Sequence, residues 1–182
     1  MTESAANPTQ ARPHALIPRH VALVAAAAAR IFPTTSTPGA TEAGAVTYID
    51  RALVEAYPEL APLYRTGCRA LDRHAKRRFG AGFLRVSAEQ QDVVLTDFEA
   101  GSVPDYARAS LFFETLRRHT MEGVLGEPAY GGNQGLVGWR LVGFPGHQFG
   151  YKDAYVNKPV DIEPIALDRP YRTEEEWHAS AN

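Results

Sequence analysis

"FFETLRRHTMEGVLGEPAYGGNQGLVGWRLVGFPG", residues 112–146, changes character part-way along. Up to Leu125 it reads as a helix: Phe112, Leu116, Thr120 and Val124 recur every fourth residue, and with Leu111 they define one buried face. This helix should begin near Asp105 and end at Gly123 or Gly126, with Pro128 beyond. From Glu127 the pattern stops. Residues 127–146 hold six glycines (131, 132, 135, 138, 143 and 146) together with Tyr130, Trp139 and Phe144, and their only formal charges are Glu127 and Arg140. A linker has no need of the aromatics, and a regular element would be weakened by the glycines. Glycine lets a second backbone come close, and aromatics bury much area with few torsions to freeze. Two readings stand side by side: a docking surface for another protein, or an internal packing loop with Trp139 folded back onto the helices. A phosphate cradle at "GGNQG" is disfavoured, because the segment follows a helix and lacks the Gly-Lys-Ser/Thr ending.

Working outward, the chain reads as mostly α, a single compact domain of about five helices. The first helix starts at Pro18 and ends before Pro33, with Val21, Val24, Ile31 and Phe32 near one face. Thr41 is placed to cap a second helix running to Tyr57, whose stripe is Val46, Ile49, Leu53 and Tyr57. Pro58 or Pro62 opens a third, carrying Leu60, Leu63, Tyr64, Leu71 and Phe79 and stopped by Gly80. "SAEQ", residues 87–90, is a capping box for a fourth with Val93, Val94, Leu95 and Phe98, closed by Gly101. Residues 1–17 are expected to form a flexible arm, 18–150 the helical domain, and 151–182 an extended arm punctuated by Pro159, Pro164 and Pro170.

Composition removes several function classes. A net charge of −2 argues against nucleic-acid or anionic-membrane partners. The single cysteine, Cys68, excludes an internal disulfide, a Cys-ligated iron–sulfur cluster and a c-type haem attachment. The apolar run Val21–Ala29 is too short to span a bilayer. Its alanine content and amphipathic spacing favour a helix over the alternative, a signal peptide. No adjacent arginine pair precedes it, so residence in the cytoplasm is expected, with the periplasm as the alternative.

No residue set supports catalysis. His119 and Glu122 share a helix face near Glu114, but a metal site in a bundle needs ligands from several helices, and a structural histidine is the plainer reading. The basic run Arg73, His74, Lys76, Arg77 and Arg78 ends a helix, where cations complement the dipole. Asp50–Arg51 and Asp72–Arg73 read as solvated or intrahelical pairs.

The stretches "RIFPTTSTPGATEAGAVTYIDRAL" (30–53), "LYRTGCRALD" (63–72), "SAEQQDVVL" (87–95) and the opening segment, above all "TEAG", P-x-Y-G-G-N, G-W and G-F-P-G, resemble the gluconate 2-dehydrogenase subunit 3 family over roughly residues 18–150. The resemblance implies a non-catalytic small subunit without a cofactor of its own. Its partner would be a large FAD-dependent oxidoreductase of the glucose–methanol–choline type that oxidises a sugar or sugar derivative. A cytochrome c subunit, where present, would be a separate chain. It also implies the alternative of a transient assembly or export chaperone for that flavoprotein, although the family's twin-arginine signal has no counterpart here. An independent metal-dependent enzyme is the remaining alternative. The expected partner interface is Tyr130, Gly131, Gly132, Asn133, Trp139, Phe144, Pro145 and Gly146, with the C-terminal arm beside it.

Overall fold

The computed structural model describes residues 14–146 and 164–166. Its elements are α1 (Pro18–Ile31), α2 (Ala45–Glu55), α3 (Ala61–Phe79), α4 (Ala88–Glu99), α5 (Ala109–Leu125) and the short α6 (Val137–Val142). Single 3-10 turns fall at Pro58–Leu60, Phe83–Arg85, Pro128–Tyr130 and Gln134–Leu136. The described residues contain no strand; a parallel bridge joins Gly146 to Ile165. The domain is therefore all-α, as the periodicity implies, with α6 added to the five expected helices. Most of both proposed arms, residues 1–13, 147–163 and 167–182, lies outside the described residues.

One aromatic cluster organises α1–α5. Phe112 of α5 meets Phe98 of α4 and Tyr64 of α3 edge-on, at centroid distances of 5.9 and 5.6 Å. Such contacts add to the area that the rings bury. Leu23, Val24, Ile49, Leu53, Leu63, Leu71, Val94 and Leu116 complete this core, and Leu16, just ahead of α1, is buried with them. Gly67 on α3 leaves room for the Phe112 ring. A smaller cluster of Ala28, Ala40, Ala43, Ala45 and Val124, with Val137 against it, lies under the glycine-rich segment.

Local signals set several boundaries as the sequence suggests. Pro18 opens α1, and Gly80 ends α3 in the left-handed region at φ 77°. The Ser87 capping box is complete: Gln90 N–H donates to Ser87 Oγ at 3.3 Å, and Ser87 N–H donates to Gln90 Oε1 at 3.1 Å. Other expectations need correction. Thr41 does not cap α2. Residues 40–44 close a backbone turn instead, with Ala45 N–H bonded to Ala40 O at 3.0 Å, and the helix starts after Gly44. Helix α5 starts at Ala109 rather than near Asp105, because Asp105 takes a positive φ of 61°. Leu111 and Val93 face solvent.

Asp50, Asp72 and Asp92 are long-range ties rather than local pairs. Asp50 accepts from the N–H groups of Ala15 and Leu16 at 3.0 and 2.9 Å and lies 2.5 Å from His14 Nδ1, which fixes the entry to α1. Asp72 accepts from Arg19 at 2.6 Å and from Phe83 N–H at 3.1 Å. Arg30 of α1 forks onto Asp92 of α4 with two bonds of 2.7 Å.

Candidate partner interface

The C-terminus of α5 explains the glycine-rich segment. A helix ends with carbonyls that have no intrahelical donor. Here Gly126 is extended, at φ −72°, so the expected left-handed glycine cap is missing. The donors come from further along the chain. Beyond the helix's own last bond, Gly126 N–H to Glu122 O at 2.7 Å, Asn133 N–H reaches Gly123 O at 2.6 Å. Trp139 Nε1–H donates to Leu125 O at 2.6 Å, and Asn133 Nδ2 donates to Gly126 O at 2.9 Å.

Asn133 is the keystone. It is fully buried in the left-handed region at φ 45°, and its Oδ1 accepts from Gly138 N–H of α6 at 2.9 Å. A single amide side chain thus finishes one helix and holds the first turn of the next. Asparagine suits the place because it tolerates left-handed backbone and carries both donor and acceptor. Gln134 N–H donates to Ala43 O at 3.0 Å, so the segment is also tied to the turn before α2.

Two glycines permit this docking. A Cβ on Gly132 would lie inside the van der Waals shell of Gly123 O, and one on Gly138 inside that of Val124 O. At both places backbone rests on backbone with no space for a side chain. On the α2 side, the Arg51 guanidinium donates to Ala129 O at 2.6 Å and pairs with Glu55 at 2.8 Å.

These constraints sort the expected interface residues. Gly132, Asn133 and Trp139 are buried within the chain. Tyr130, Gly131, Pro145 and Gly146 are half-buried, and Phe144 is 44% exposed. The structure turns Trp139 inward, and Phe144 stands edge-on to its ring at 4.9 Å. Phe144 N–H donates to Trp139 O at 2.9 Å, so the exposed ring is anchored to the buried one. Beyond it, Ile165 N–H donates to Pro145 O at 3.1 Å and lays part of the C-terminal arm along this edge.

Sequence reasoning missed three members of this surface: Leu141, Val142 and Ile165, which are 41%, 60% and 52% exposed. With Phe144 they place four large apolar side chains in solvent along one short run of structure. Burial of Gly138 and Trp139 inside a six-residue helix turns residues 140–142 outward. No local sequence signal marks them, because the six-residue length of α6 is set by the fold.

His119 is held as a structural residue. It is fully buried and stacks on Tyr57 at 4.9 Å and on Tyr64 at 5.8 Å. Arg118 can only donate, so its 3.4 Å contact assigns Nε2 as acceptor and Nδ1–H as donor to Tyr64 Oη at 3.0 Å. Burial, aided by the charge of Arg118, lowers its pKa to about 4. Glu122 accepts from Tyr48 Oη at 2.9 Å. No group of three or more His, Cys, Asp or Glu side chains with metal-site geometry occurs among the described residues. Among them, no helix is long and apolar enough to cross a membrane.

No solved structure and no curated protein matches the chain. The family model for gluconate 2-dehydrogenase subunit 3 matches residues 18–146, which include all six helices and the glycine-rich segment, and the chain belongs to that family, named as a subunit of a dehydrogenase complex.

Proposed function

We propose that this chain is the non-catalytic small subunit of an FAD-dependent carbohydrate dehydrogenase or oxidase, and that it binds and stabilises the large flavoprotein. The observation that carries this reading is the apolar surface of Leu141, Val142, Phe144 and Ile165, mounted on a segment locked to the α5 terminus. Exposed apolar groups gathered on a rigid support are suited to burial by another protein. Tyr130, Gly131, Pro145 and Gly146 form the flanks. Gly132, Asn133 and Trp139 act from beneath by fixing the position of the surface. The FAD and the sugar pocket belong to the partner, and a cytochrome c chain, where the complex has one, is a further subunit.

Co-expression with the cognate large flavoprotein tests this. Gel filtration with light scattering should give one species containing both chains near one to one, with flavin absorbance across the peak. An active flavoprotein that never retains this chain would overturn the permanent-subunit reading. If that flavoprotein still needed the chain during synthesis, the transient chaperone role would replace it.

A further inference from the structure

A second surface, between α1 and α3, carries a different chemistry. Arg65, Arg69 and Arg73 follow one another at four-residue intervals on α3, with Lys76 three residues on. All four are exposed, and none forms an ion pair among the described residues. The rest of the basic run is engaged: His74 and Arg78 meet Asp97 at 2.8 and 3.2 Å, and Arg77 meets Asp105 at 2.8 Å. Like charges at four-residue spacing repel, so the unpaired ridge is unfavourable in the isolated chain.

The ridge faces the first turn of α1. That turn has no capping side chain and no acidic residue, and it contributes Arg19 and His20. Its dipole adds positive potential. An open groove of about 420 Å³ runs between the two helices, lined by Arg19, His20, Arg69, Arg73 and Lys76 together with the apolar Ile17 and Leu23. Among the described residues Asp72 is the one acid lining it, and its carboxylate already serves Arg19 and the Phe83 N–H. His20 is only 4% exposed, and its buried Nδ1 has no hydrogen-bond partner.

We propose that this groove binds a compact oxyanion, the carboxylate or phosphate group of a small molecule, through Arg69, Arg73 and Lys76, with His20 in its wall. Guanidinium forks match both groups. The volume is that of a small-molecule site. The anion would relieve the repulsion along α3. Burial and the charges of Arg69, Arg19 and Arg65 now hold the His20 pKa below its ordinary value. Arg73, Lys76 and Asp72 also face the groove. A bound anion opposes the net positive field and raises the His20 pKa, so binding should strengthen as pH falls.

Amide NMR titrations of the full chain with inorganic phosphate, and separately with succinate, test the proposal at low ionic strength. Saturable shifts are expected at residues 19–20 and 69–76 for one or both probes, and the tightening toward lower pH is read with succinate, because phosphate itself titrates between about pH 6 and 8. A response to phosphate alone would assign the phosphate class, to succinate alone the carboxylate class, and to both the shared chemistry. The exposed pair Arg69→Gln/Arg73→Gln should weaken binding at least ~10-fold with the helical circular dichroism intact, whereas Arg117→Gln on α5 should leave it unchanged. Absence of saturable binding, equal binding by the double variant, or binding of polyglutamate but neither small anion would overturn it.

Discussion

The helical body and the glycine-rich segment are held together by opposite means. In α1–α5 the side chains do the work: Phe112, Phe98 and Tyr64 interlock and the backbone satisfies itself within each helix. In residues 127–146 the backbone is the packing surface. Gly132 and Gly138 rest on α5, and one asparagine distributes three hydrogen bonds among Gly123, Gly126 and Gly138. The contrast shows how a protein can mount a fixed apolar surface without a second large core. It closes an open helix end with a segment that needs that end for its own hydrogen bonds.

The largest expected effect lies in the body. Phe112→Ala should destabilise the whole domain by ~4 kcal/mol, measured by urea unfolding, because it opens a cavity where three helices meet. Hydrogen exchange should then rise throughout α1–α5. The segment should behave differently. Asn133→Ala leaves the Gly126 carbonyl and the Gly138 N–H without their side-chain partner and puts alanine in left-handed backbone, for a loss of ~3 kcal/mol. Its exchange increase should concentrate in residues 127–146. A uniform rise across the domain would dissolve the comparison and make the segment an ordinary part of the core.

A smaller, pH-dependent effect belongs to the body alone. His119 has a folded pKa near 4, below its unfolded value, so the unfolded chain binds the extra proton between about pH 6.5 and 4. Stability should therefore fall as pH drops through that window, by ~2 kcal/mol from this residue, and level off below it. His20, also depressed, contributes in the same direction. His119→Gln should lower stability at neutral pH and flatten the profile. An unchanged slope would show that His119 is not the group responsible.

Much of the body is legible in the sequence because its rules are local. Proline at a first turn, a Ser-x-x-Gln box and a terminal glycine each act within a few residues, and they place α1, α4 and the end of α3. The starts of α2 and α5 are harder to read, since they depend on a backbone turn at 40–44 and a left-handed Asp105 rather than on a capping side chain. The roles of Asp50 and Asp72 are hidden for another reason. Their partners, Leu16, Arg19 and Phe83, are distant in sequence. The segment lies between these cases. Its glycines and aromatics mark it as unusual, but whether Trp139 faces in or out depends on the Leu125 carbonyl, which only the folded α5 presents. Leu141 and Val142 look like core residues until the six-residue α6 turns them outward.

The most direct test concerns the surface itself. Val142→Glu/Phe144→Glu places two charges on exposed positions while leaving Trp139 and Asn133 in place. Co-purification with the flavoprotein should be lost, while the variant alone keeps its helical circular dichroism and a cooperative melt lowered only by the loss of the Phe144–Trp139 ring contact. A variant that still co-elutes with the flavoprotein near one to one would contradict the assignment of this surface as the subunit interface.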